Sequence, residues 1–163
     1  MLSLPISPAD CLTQVIVRAL GYLPASMDSP EARVLLLAIA LQESGLRTRT
    51  QDGNGPARGL WQFERGGVLA VLNNSASLQA SRDLCHAFAV APIPSDVYYT
   101  LPHDDLFACG MARLMLWCDP HPLPALGDAD DAWVCYQKNW GPGKPRPQDW
   151  PANYAAALAT AKG

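Results

Sequence analysis

Apolar residues recur along the chain at helical spacing, and the breaks between them fall at proline and glycine. Ser7-Pro8-Ala9-Asp10 combines an N-cap serine, a proline at the first helical position and an acid in the first turn, which predicts a helix start. That helix is expected to run to about Leu20, where Gly21 stops it. Ser29-Pro30-Glu31 repeats the signal. The helix predicted from Glu31 to Ser44 carries Val34, Leu35, Leu37, Ala38 and Leu41 and is apolar on nearly every side, the mark of a buried central helix. Gly45 is its natural C-cap.

From Arg47 to Gly59 the helical pattern collapses into turn residues, including Asp52-Gly53-Asn54-Gly55-Pro56, and predicts a loop or a short irregular hairpin. After Leu60 to Phe63 comes a short helix near Val68 to Leu72, then one from about Ser77 to Ala89. Pro92 and Pro94 break the chain, and a short helical piece follows at Ser95 to Thr100. Asp104 and Asp105 open a helix that reaches Trp117. The segment from Asp119 to Pro124 reads as a rigid loop. Asp128 caps a helix to about Asn139, and Gly141-Pro142-Gly143-Lys144-Pro145 ends it. A last helix is expected from about Asp149 to Ala161. Few β-branched runs alternate, and neither an internal repeat nor a long linker is visible. Residues 1–163 therefore read as one mainly all-α domain.

Composition narrows the function classes. With 49% hydrophobic and 17% charged residues the chain can build a core. A net charge of −3 without a Lys/Arg cluster argues against nucleic acid as partner. The N-terminus lacks a basic region, and Pro5, Pro8 and Asp10 interrupt its apolar stretch, so no signal peptide is expected. The longest apolar run, Val34 to Leu41, is far too short to span a bilayer, and no membrane insertion is expected. Five cysteines in apolar contexts (Cys11, Cys85, Cys109, Cys118, Cys135) read as free thiols. Cys118, His121 and Cys135 make a poor metal set, His86 and His103 lack partner spacing, and no phosphate-loop or dinucleotide fingerprint occurs. Neither a metal nor a cofactor is expected.

Glu43 is the sharpest feature. It sits in the last turn of the most apolar helix, within Leu41-Gln42-Glu43-Ser44-Gly45. Apolar surroundings and the partial negative charge of a helix C-terminus both disfavour its ionised form. A glutamate held protonated near neutral pH can donate a proton to a glycosidic oxygen. Sixteen residues on, Gly59-Leu60-Trp61-Gln62-Phe63 offers a glycine that lets a ligand approach the backbone, an amide for sugar groups and apolar faces. Core packing is the competing use of Trp61 and Phe63.

The chain here resembles a known family. Glu43-Ser44-Gly45 followed by Gly59-Leu60-Trp61-Gln62 is similar to the E-S-G and G-L-M-Q motifs of lytic transglycosylases and goose-type lysozymes, with Trp61 in place of methionine. Asn139-Trp140-Gly141-Pro142-Gly143 resembles the Y-N-A-G-P-G segment of the same family, in the same order. The resemblance implies a lysozyme-like fold and cleavage of peptidoglycan between N-acetylmuramic acid and N-acetylglucosamine. Glu43 would be the acid/base of a reaction that closes a 1,6-anhydro ring. It implies that Ser44 orients the glutamate or substrate and that Gln62, with Gly59, Trp61, Asn139 and Tyr136, lines the sugar site. The remaining segments resemble phage-encoded lysozyme-like proteins. A protein of that kind is made in the host cytoplasm and acts at the cell wall, as a virion component beside other virion proteins or after release.

Three alternatives stay open. Asp52, nine residues after Glu43, is a possible second carboxylate for a hydrolysing lysozyme, although Asp52-Gly53-Asn54-Gly55 is also an ordinary turn. The family tyrosine falls on Lys138, and Tyr136, two residues earlier, is expected to point elsewhere on a helix. A lysine beside Glu43 would lower its pKa and favours a catalytically weak peptidoglycan-binding or structural protein. A generic helical interaction domain would make the ordered motifs coincidental. Glu64 is a third candidate carboxylate that, next to Arg65, reads rather as a solvated ion; Arg58 is a candidate for a muramic acid carboxylate; Tyr98, Tyr99, Trp133, Trp140 and Trp150 could stack on sugars but read mostly as core.

Overall fold

The serine and aspartate starts form as caps. Ser7 Oγ accepts from the Asp10 amide at 3.0 Å and Ser29 Oγ from Ala32 at 3.2 Å. Asp104 accepts from Leu106 at 2.9 Å and Phe107 at 3.0 Å, and Asp128 from Asp131 at 3.0 Å. Each cap satisfies amides that a helix start leaves unpaired.

The computed structural model describes every residue except Asp52 and Asn54. Among the described residues there are eight helices and no strand. Helix α1 runs through three contiguous pieces, Pro8–Asp10, a π-helical Cys11–Ile16 and Val17–Leu20. The others are α2 (Pro30–Ser44), α3 (Arg65–Asn73), α4 (Leu78–Ala87), α5 (Pro94–Thr100), α6 (Asp105–Trp117), α7 (Ala129–Trp140) and α8 (Trp150–Lys162). The π-helical stretch in α1 was not anticipated. Helix α3 starts three residues before the predicted Val68, because Gly66-Gly67 interrupts the apolar pattern of its first turn. The expected irregular hairpin is reduced to isolated antiparallel bridges, Thr50 with Arg58 and Arg58 with Phe63.

Helix α2 is the buried centre. Every residue from Val34 to Ala40 is buried, and each large aliphatic side chain there contributes about 1.5–3 kcal/mol. It ends at Gly45, whose φ of 58° is left-handed, as a C-cap glycine requires. The C-terminal helix α8 lies along α2. A second helix, α6, is buried from Phe107 to Leu116 and packs on α1, α2, α3 and α4. Its start is tied to the loop after α2 by a part-buried ion pair that the sequence did not flag. Arg49 Nε and Nη2 donate to the two Asp105 carboxylate oxygens at 2.7 and 2.6 Å, and Nη2 also reaches the Leu2 carbonyl at 2.8 Å. Such a bidentate fork fixes the loop in register with α6.

All five cysteines are free thiols. Burial pushes the Cys11 thiol up to about 12 and Cys85 to about 11, which keeps both protonated and unreactive. Among the described residues no three His, Cys, Asp or Glu side chains converge as metal ligands. Cys118 Sγ lies 3.2 Å from Ser77 Oγ instead. No described helix is long and apolar enough to cross a membrane.

Candidate active site

Glu43 emerges from the last turn of α2 into an open cleft of about 950 Å³, at the upper end of the range for ligand sites. Burial raises its pKa above the ordinary glutamate value. A hydrogen bond from Tyr136 and the charge of Arg146 oppose the rise, and the charge of Glu64 adds to it. Tyr136 Oη donates to Glu43 Oε1 at 2.5 Å. Burial, then the bond to Glu43, holds the Tyr136 phenol well above its own usual range, so Tyr136 remains a donor. Its ring stacks on Trp150 (centroids 5.2 Å apart, planes 11° apart) and meets Trp133 at 5.3 Å, which fixes the hydroxyl in position.

The cleft is also lined by Gln62, Phe63 and Glu64, and by Asn139, Trp140 and the turn from Gly141 to Lys144. Gln62 has a left-handed φ of 49°, an unusual state for a residue with a side chain. The turn is held by Gln62 itself, whose amide nitrogens, main chain and side chain, donate to the Gly59 carbonyl at 3.0 and 2.8 Å. Such strained residues concentrate at functional sites. Trp140 Nε1 donates to the Trp61 carbonyl at 2.9 Å and its ring meets Phe63 edge-on at 5.8 Å, so α7 is pinned to the Gln62 turn.

Three sequence motifs therefore converge on one cleft, but not every residue in them faces it. Tyr136 is the main correction. It shares a face of α7 with Asn139 and Trp140, three and four positions on, and that face looks at Glu43. Lys138 points away and donates to Asp119 Oδ1 at 2.9 Å, with His121 Nδ1 3.0 Å off. Burial would raise the Asp119 pKa, but bonds from His121, Lys138 and Asn139 overturn this and hold it well below the usual range. The ammonium expected beside Glu43 is thus neutralised elsewhere.

Ser44 is buried, and its hydroxyl donates to the Ala40 carbonyl at 3.0 Å and accepts from the Leu46 amide at 3.2 Å. It closes the turn after α2. Gly59 has a φ of 74°, and a Cβ there would lie 3.1 Å from the Leu101 carbonyl oxygen. The close approach that requires glycine is to the protein's own backbone. Trp61 is fully buried, with Nε1 donating to the Leu36 carbonyl at 2.9 Å, so its side chain is core. Gln62 and Asn139 do line the cleft, although the Asn139 amide already donates to the Cys135 carbonyl at 2.9 Å and to Asp119 at 3.2 Å. Asp52 lies outside the described residues. Arg58 faces a neighbouring pocket. Of the aromatics, Tyr98 and Trp150 are buried, Trp133 packs on Trp150 at 5.5 Å, Trp140 lines the cleft and Tyr99 is exposed.

Arg146 escaped the sequence reading, and Glu64 was read there mainly as a solvated ion. Glu64, the third candidate carboxylate, is solvent-exposed as expected and also lines the cleft. Its carboxylate makes no cap bond to α3, and its neighbour Arg65 turns instead to Tyr99 Oη at 2.9 Å. Arg146 donates to the Gln42 carbonyl, and the Gln42 side chain donates back to the Arg146 carbonyl at 3.0 Å and accepts from Asn153 at 2.8 Å. That network places a positive charge near Glu43. A buried glutamine one residue before the candidate acid was the available hint.

The arrangement can hold a proton on a half-buried carboxyl, release it into a cleft, and stabilise the resulting anion through Tyr136. Comparisons with protein-family models, with curated protein sequences and with solved structures gave no match.

Proposed function

We propose that this chain cleaves peptidoglycan glycan strands at the β-1,4 bond between N-acetylmuramic acid and N-acetylglucosamine, as a lytic transglycosylase with Glu43 as its single acid/base. The observation that carries the reading is the Glu43–Tyr136 pair, 2.5 Å apart, in the wall of a cleft that also presents Gln62 and Asn139. Within this reading the helical arrangement is lysozyme-like and the protein is a phage product acting at the cell wall.

Desolvation favours the protonated form of Glu43, and its proton goes to the glycosidic oxygen as that bond breaks. The sugar's acetamido oxygen stabilises the cationic carbon. The Glu43 carboxylate, now held by the Tyr136 hydroxyl, takes the proton of the C6 hydroxyl, whose oxygen closes on the anomeric carbon. Burial favours the first state of the carboxyl and the tyrosine bond favours the second.

Digestion of purified sacculi tests this. The wild type is expected to release muropeptides with 1,6-anhydro ends, 18 mass units or so (about one water) lighter than hydrolysed ones. A second reading, hydrolysis, gains support from Glu64, a second carboxylate in the same cleft. Products carrying an added water would select it. No release from substrate that a control lysozyme digests would leave the chain a binding or structural protein.

Tyr136→Phe gives a sharper check. The tyrosine bond lowers the Glu43 pKa, so its loss raises it. The high-pH limb of kcat/KM is expected to move to higher pH, while kcat falls roughly tenfold or more from the lost charge-assisted bond. An unmoved limb would contradict the pairing.

A further inference from the structure

Lys138 occupies the motif position of the family tyrosine, yet its ammonium is spent on Asp119, outside the Glu43 cleft. Asp119 opens the Pro-rich loop after α6, and its side chain is only 6% exposed. A carboxylate so far out of water needs donors on both oxygens. Oδ1 accepts from the Lys138 ammonium at 2.9 Å and the His121 main-chain amide at 3.1 Å, and His121 Nδ1 lies 2.7 Å from it. Oδ2 is left to the side-chain amide of Asn139, which donates to it at 3.2 Å. Burial alone would favour the protonated form of Asp119, but the bonds from His121 and Lys138 outweigh this and keep it ionised.

Of this group only Asn139 lines the cleft. Its side-chain nitrogen carries two hydrogens. One goes to the Cys135 carbonyl at 2.9 Å and the other to Asp119, with Cys135 Sγ 3.6 Å away. Both are spent inside the protein, whereas Oδ1 meets no donor among the described residues. An ionised carboxylate and a carbonyl can only accept. Turning the amide over would therefore set oxygen against oxygen twice and leave both acceptors without a hydrogen. A neutral hydroxyl or amide in place of Asp119 could donate as well as accept and would leave Asn139 able to turn.

We propose that Asp119, held by Lys138, is a positioning residue for the cleft: it locks Asn139 with its carbonyl oxygen outward, so that this position accepts a hydrogen bond from a ligand and donates none. The identity of that donor, a sugar N–H or hydroxyl, rests on the glycan reading above; the lock does not. Proton exchange tests the lock without any ligand. The Asn139 side-chain amide protons, assigned with Asn139→Ala, are expected to exchange with water roughly tenfold more slowly than those of the exposed Asn73. Asp119→Ala should speed them, and Lys138→Met should do so to a smaller extent. Exchange as fast as that of Asn73 in the wild type overturns the lock, whether or not the variants fold. Binding reads its use. Tetra-N-acetylchitotetraose is titrated by calorimetry in a Glu43→Gln background, which prevents turnover. Asn139→Ala and Asp119→Ala are each expected to weaken binding roughly tenfold, and the double variant no more than either alone. An Asp119 that only braces its loop would add its loss to that of Asn139, so additive losses overturn the proposal, as does undiminished binding in Asp119→Ala. If Asp119→Ala melts early, Lys138→Met, changed at an exposed side chain, decides by the same cycle. Slow Asn139 exchange with no glycan bound or cleaved would keep the lock and remove the glycan reading; sacculi cleaved by a wild type whose Asn139 protons exchange fast would do the reverse.

Discussion

Glu43→Gln is expected to reduce muropeptide release by about a thousandfold, within the range that a general acid/base supplies, and at the same time to make the protein more stable at neutral pH. The two effects have one origin. Burial raises the folded pKa of Glu43 above its unfolded value. A carboxyl shifted in that direction costs nothing below the unfolded pKa, and its penalty grows as pH rises through the folded pKa. Glutamine keeps an oxygen for the Tyr136 hydroxyl and carries no charge. The variant should therefore melt above the wild type at pH 7 to 8, and the gap should close below about pH 4, where the unfolded carboxyl is also protonated. Thermal melts across pH with parallel activity assays read both. A variant that is inactive and less stable at pH 7 would mean that Glu43 is a structural residue.

Trp61→Ala is expected to destabilise the protein by about 3–5 kcal/mol and lower Tm by roughly 10 °C or more. Its side chain is wholly buried and tied to the Leu36 carbonyl of α2, so the substitution opens a void against the helix that carries Glu43. Its main-chain carbonyl also anchors Trp140. The motif resemblance alone places Trp61 at the sugar. Chemical denaturation separates the two roles: an unchanged midpoint with weakened glycan binding would return it to the site.

These two residues show where sequence is readable. Helix starts were legible because a cap is a local event: Ser7, Ser29, Asp104 and Asp128 lie within three residues of the amides they satisfy. Burial of α2 was legible because its apolar residues leave no polar face, and the position of Glu43 at its end followed. The all-α class follows from the same local signals. The partner of Glu43 was not legible, because Tyr136 lies ninety-three positions away and its direction depends on where the fold sets α7. Reading the family tyrosine onto Lys138 counted neighbours along the chain, whereas the cleft selects residues by helical face. Gly59, Trp61 and Ser44 carry motif signals yet serve packing and turn geometry, which short motifs do not distinguish from ligand contact. Arg146 sits in a Pro-Arg-Pro segment without periodicity, and only the folded chain brings it to Gln42.

Burial in the fold raises the Glu43 pKa at the edge of an open cleft of about 950 Å³. The most direct test of this is an NMR titration of the Glu43 side-chain carboxyl carbon, assigned by comparison with Glu43→Gln. The account predicts a midpoint above the ordinary glutamate value, with Tyr136→Phe moving it higher still. A Glu43 midpoint at or below the ordinary glutamate value would contradict it, since the carboxyl would then have no proton to give.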